Sequence, residues 1–105
     1  MHPFDIFIAY VSWGSDGKRR PMLVYKKSDG DIMTFPITTQ YASKPKAIQA
    51  RYFVVNDWSQ AGLDKQSYVD TGTPYVFSEK HLEETGAIGR LTENDKKKLI
   101  EFFTK

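Results

Sequence analysis

Few side chains in this sequence could do chemistry. Cysteine is absent, which removes disulfides, thiol nucleophiles and thiolate-held metals together. The two histidines stand far apart, His2 at the terminus and His81 in the C-terminal half. His81 and Glu84 have helical spacing, but two donors without cysteine or a second histidine nearby make a poor metal site. No metal and no other cofactor is expected. The cationic run Lys18-Arg19-Arg20 offers a better lead, because it follows Trp13 across a stretch containing Gly14 and Gly17. An indole beside cations can stack an unpaired base while the cations hold the nucleic-acid backbone. Alternatively, Trp13 folds back onto a sheet.

Charge distribution points the same way. The chain carries 15 Lys/Arg and 13 Asp/Glu, a net charge of +2. Residues 1–52 hold eight basic against four acidic side chains, and the remainder seven against nine. The N-terminal half is therefore the side that would meet a polyanion. The opening Met1-His2-Pro3-Phe4-Asp5 lacks the basic start of a signal peptide, and no apolar run approaches a membrane span. No membrane partner is expected.

The elements that must position these residues read as one domain over residues 1–105. Residues 4–11 are almost wholly apolar and predict a central strand. Residues 12–19 predict a mobile loop, and residues 21–26 a strand with Pro21 at its first position, where a missing N–H costs least. Asp29-Gly30 is the strongest hairpin signal in the chain, since both residues tolerate positive φ; the returning strand covers 31–39. Alternation over 47–55 predicts a half-buried strand, with Gln49 and Arg51 on one side and Ile48, Tyr52 and Val54 on the other. A loop over 56–66, with one helical turn near Ser59, leads to one or two short strands within 67–77, broken near Gly72 and Pro74. Ser78 can cap a short helix stopped by Gly86, and 87–91 predict another short strand. Thr92 followed by Asp95 has the form of a capping box and opens a last helix. Its packing stripe is Leu99, Ile100, Phe102 and Phe103, with Lys96, Lys97 and Lys98 solvated. Trp58 and the two phenylalanines are assigned to core or dimer packing. The fold class is mainly β (α+β).

Four blocks, in order, resemble those of MazF/PemK toxins. Lys18-Arg19-Arg20-Pro21-Met22-Leu23-Val24 is similar to that family's Arg-Pro-apolar-apolar-Val strand, and Phe35-Pro36-Ile37-Thr38-Thr39-Gln40 to its next strand. Ala61-Gly62-Leu63-Asp64-Lys65-Gln66-Ser67-Tyr68-Val69 resembles the approach to a central strand, and Gly86-Ala87-Ile88-Gly89-Arg90-Leu91-Thr92 the junction into the terminal helix. The resemblance implies a small SH3-like barrel of about six to seven strands with a short helix and a C-terminal helix. It also implies a cytoplasmic homodimer and a cognate antitoxin that covers the active groove.

The activity so implied is metal-independent cleavage of single-stranded RNA. RNA can be cut without a metal when its own 2′-OH attacks the adjacent phosphate and the extra negative charge on phosphorus is stabilised. The family's essential arginine falls on Arg20 and its threonine on Thr38, which makes these the candidate catalytic pair. Arg20 presents a planar, permanently charged fork that matches phosphate oxygens, and Thr38 can donate its hydroxyl or orient the 2′-OH. Taken alone, Arg20 reads first as a surface ion pair and Thr38 as a strand former. RNA contacts are expected from Trp13, Lys18, Arg19, Thr39 and Gln40, with Tyr41, Lys44 and Lys46 extending the groove. The sequence departs from the family pattern at Ala9-Tyr10-Val11, at Asp16-Gly17-Lys18 and at Gly72-Thr73, the last in place of an acid-Gln pair. Two other functions stay open on the same barrel: a protein binder of the gyrase-poison type, and a toxin that has lost activity and acts through its antitoxin.

Overall fold

Apolar residues on both sides of a strand require cover on both faces, and the first three strands are built that way. The computed structural model describes residues 1–13, 16–82 and 85–104, the side chains of 11–18 excepted. β1 (Asp5–Trp13), β2 (Asp16–Ser28) and β3 (Asp31–Thr38) form an antiparallel meander. Ile6, Leu23, Phe35 and Ile37 turn to the main core, whereas Phe7, Met22, Val24 and Ile32 turn to a second cluster on the opposite face. The near-continuous apolar run of β1 follows from this double burial.

Of the segment expected to be a loop, 12–19, residues 12–13 and 16–19 are strand, and 14–15 lie outside the described residues. β1 and β2 stay paired as far as Trp13 opposite Asp16, so cross-strand hydrogen bonding overrides the glycines and polar residues that suggested irregular chain. The Asp29-Gly30 turn is as expected, with φ of 47° and 86° at its two central residues. Between Val24 and Lys26 the register slips by one. The extra residue, Tyr25, packs its ring against Phe4, Phe35 and Phe103.

β3 changes partner along its length, and that curls the sheet. Its first half pairs with β6 (Tyr75–Ser78), and Ile37 and Thr38 pair with β5 (Ser67–Asp70). Pro36, which has no N–H to give a ladder, stands at the changeover. β4 (Tyr52–Val55) joins the outer edge of β5, and β7 (Gly89–Arg90) joins β1. The seven strands run β4-β5-β3-β2-β1-β7, with β6 beside β3, a half-barrel of the mainly β class read from the sequence. β7 meets the turn between β4 and β5 by backbone contact: a Cβ on Gly89 would strike the Ala61 carbonyl.

Among the described residues there are three helices: α1 (Lys46–Gln49), α2 (Glu79–Leu82) and α3 (Glu93–Phe103). α1 corrects the strand expected over 47–55. Pro45 at its N-cap sets φ to −59°, and a proline there favours a helix start over an extended chain. The strand begins only at Tyr52, with Tyr52, Phe53 and Val55 buried and Val54 exposed. The Ser78 hydroxyl accepts from the His81 N–H as expected of a cap; residues 83 and 84, between Leu82 and the stop expected at Gly86, lie outside the described residues. Thr92 caps α3 by accepting from the Asp95 N–H. The Asp95 carboxylate does not complete the box. It is fully buried and accepts from the Asn56 N–H, the Asn56 amide and the Asp57 N–H, pinning the end of β4 to α3. Leu99 and Phe102 pack on the main core, while Ile100, expected in that stripe, is 46% exposed. No helix among the described residues is long and apolar enough to cross a membrane.

Candidate functional site

Register brings the candidate pair together. Met22 lies opposite Pro36 and Leu23 opposite Phe35; two residues beyond the end of that ladder, Arg20 and Thr38 line the same groove. Alternation then places Arg20 and Thr38 on one face with Met22 and Pro36, away from the main core. Both are half-buried and line one groove of about 450 Å³. They also line an adjoining depression of about 220 Å³, which shares Gln40 and adds Thr39. Arg20, Thr38 and Gln40 thus stand where two hollows meet. The Thr38 oxygen accepts from the Gln40 N–H at 3.0 Å, which orients the hydroxyl and leaves its proton to donate.

The other expected contacts divide. Thr39 and Gln40 are exposed on the trough, and Lys44 lines the groove. Arg19 is exposed, but strand alternation turns it to the face opposite Arg20, and it lines neither hollow. The side chains of Trp13 and Lys18 lie outside the described residues, as does Glu84. His81 is not in the groove; its ring stacks on Phe77 at 6.3 Å.

Beside Pro36, Pro45 and Ile48, the wall includes polar and aromatic residues that sequence reasoning did not assign to the site: Arg51, Tyr52, Asp70, Thr73 and Tyr75. β4 and β5 set Tyr52 opposite Asp70. The Asp70 carboxylate, 9% exposed, accepts from Arg51 Nε at 3.1 Å, from the Gly72 N–H at 3.0 Å and from the Thr73 hydroxyl at 3.2 Å. Arg51 Nη2 donates in turn to the Thr73 oxygen at 3.3 Å. A Cβ at Gly72 would overlap the Arg51 side chain, so glycine at 72 is what lets the guanidinium lie across the β5–β6 turn. Burial raises the ionisation of the Tyr52 phenol above its usual 10.0, and the Asp70 carboxylate adds to the rise, with Arg51 and Arg20 pulling it back in part. Tyr52 is therefore a neutral hydroxyl in the groove at ordinary pH. The arrangement offers fixed positive charge, hydroxyl donors and one carboxylate already committed to an arginine. Such a site suits an anion better than a cation.

No protein-family model and no curated sequence matches the chain. Among solved structures it is similar to the Mycobacterium tuberculosis toxin MazF-mt6, with a TM-score of 0.66 over 93% of this chain and 90% of that one, at 22% identity. The likeness is one of fold: both chains are small antiparallel half-barrels of the MazF type. The residues that build its groove are this chain's own.

Proposed function

We propose that the protein is the toxin of a toxin–antitoxin pair and a metal-independent endoribonuclease that cuts single-stranded RNA. The observation that carries this reading is the placement of Arg20 and Thr38 on one open groove of a MazF-like fold. In the reaction the 2′-oxygen forms a bond to phosphorus as the bond from phosphorus to the 5′-oxygen breaks. The 2′-OH loses its proton, the departing 5′-oxygen gains one, and the product ends are a 2′,3′-cyclic phosphate and a 5′-hydroxyl. Arg20 presents its planar donors to the non-bridging oxygens, where charge builds up, and preorganised donors at that point are commonly the largest single contribution to such catalysis. Thr38 donates its hydroxyl to the same phosphate or holds the 2′-OH in line. Gln40 and Thr39 lie where the neighbouring nucleotides would run, beyond the cut.

The same trough would take the acidic tail of a cognate antitoxin, since a groove that attracts phosphates attracts carboxylates equally. RNA and antitoxin then exclude one another. A homodimer fits the small core of a 105-residue chain. The test is incubation of the purified protein with long single-stranded RNA in the presence of EDTA. Cleavage that persists in EDTA and disappears in Thr38→Ala supports the reading. RNA left intact by the wild-type protein would move the assignment to a binding protein acting through its partner.

A further inference from the structure

The groove contains a second arginine, held at two points. Arg51 Nε is fixed by Asp70 and Nη2 by Thr73, while Asp70 is itself fixed by the Gly72 N–H. Two of the guanidinium's donors are committed, and the others remain for a ligand. The side chain is 39% exposed and lines the same groove as Arg20 and Thr38. An ion pair whose role was only to join β4 to β5 would need neither the bare Gly72 beneath it nor a second anchor on Thr73. Together these fix the plane of the fork, and a fixed plane is what two-point recognition of a phosphate requires.

We propose that Arg51 is a second phosphate-positioning residue, which takes a phosphodiester flanking the one held at Arg20 and Thr38. Asp70, Gly72 and Thr73 form the clamp that orients it. This inference rests on the RNA-cleaving reading and deepens it. The preferred substrate is then a single strand long enough to place an uncut phosphate on Arg51, and a dinucleotide is a poor one. The Gly72-Thr73 pair acquires a role in this way: it does not supply an acid or base but makes room for, and anchors, a cation.

The first experiment measures binding of a labelled, mixed-sequence 2′-O-methyl RNA oligonucleotide, whose blocked 2′-oxygens prevent cleavage, as a function of salt. Arg51→Gln is expected to weaken binding on the order of tenfold and to lower the slope of log affinity against log salt by about 0.7, the value of one single-strand phosphate contact. Gly72→Ala, which removes no charge, is expected to weaken binding by displacing the guanidinium. Arg90→Gln, outside the groove, is expected to leave the slope unchanged. The second experiment uses cleavable RNA in which one phosphate at a time beside the scissile bond is replaced by a neutral methylphosphonate. One such replacement is expected to raise KM for the wild-type protein about tenfold with little change in kcat, and to cost Arg51→Gln nothing further, as coupled partners require. A wild-type protein that binds RNA while Arg51→Gln binds it with the same affinity and slope overturns the inference and leaves the RNA reading intact. Wild-type protein that binds no RNA overturns both. If Arg51→Gln does not fold, the methylphosphonate series on the wild-type protein decides alone: no sensitive flanking phosphate refutes the proposal.

Discussion

Replacing Arg20 by Gln removes a guanidinium that lines the same groove as Thr38. Glutamine keeps a polar chain of similar reach but loses the charge and the fork. Loss of one preorganised donor to a developing oxyanion costs about 10²–10³ in rate, or about 2.7–4 kcal/mol of transition-state stabilisation. The loss is expected in kcat, because the donor acts on charge that appears only as the bond to the 2′-oxygen forms. Binding loses one phosphate contact, so the salt slope falls by about 0.7. The structure supplies an independent control. Arg20's charge pulls the ionisation of Tyr52 down, so the variant should raise it further, and this shift shows that the two side chains share the groove. Arg20→Lys retains the charge without the planar fork and is expected to keep most of the salt slope while losing most of the rate. The assay is kcat and KM on a fluorogenic RNA, with thermal melts to establish that each variant folds. A folded Arg20→Gln that cuts within severalfold of wild type would refute the assignment of catalysis to this arginine.

Three further outcomes are expected. Thr92→Val removes both the cap on the Asp95 N–H and the 2.6 Å bond to the Asp57 carboxylate; stability should fall by about 1–2 kcal/mol, and Tm by several degrees for each kcal/mol in a domain of this size. Tyr52 ionises above 10.0 in the folded protein, so its neutral form contributes stability that is full below pH 10 and lost as pH rises through the raised value. Alkaline unfolding should therefore begin earlier than in Tyr52→Phe, and spectrophotometric titration should show a late-ionising tyrosine that Asp70→Asn moves down. Sedimentation at tens of micromolar should show a homodimer; a monomer there would remove the dimer from the proposal.

Much of the fold was legible because its signals are local. Asp29-Gly30 announces its turn, the apolar run of β1 its double burial, and Ser78 and Thr92 their caps. α1 was missed although Pro45 carried a usable signal, because alternation over the next residues imitated a strand. The outer end of the β1–β2 ladder was missed for the opposite reason: it is polar, and only pairing between Trp13 and Asp16 and the steps below it makes it strand. In the site, Arg20 and Thr38 could be named from short blocks of sequence and joined by one hairpin. Arg51, Asp70 and Thr73 could not. Arg51 stands 19 and 22 residues before Asp70 and Thr73 along the chain and meets them only because β4 lies beside β5. Gly72 appeared as a missing acid; its meaning, room for the Arg51 side chain, exists only in three dimensions.

The central claim is that Arg20 and Thr38 drive attack by the RNA's own 2′-OH, and the chemistry of the cut ends tests it most directly. Long single-stranded RNA treated with the wild-type protein in EDTA should give fragments ending in 2′,3′-cyclic phosphate, or the 3′-phosphate that follows from it, with 5′-hydroxyls on the other side. Fragments carrying 3′-hydroxyl and 5′-phosphate ends, or RNA left whole, would contradict it.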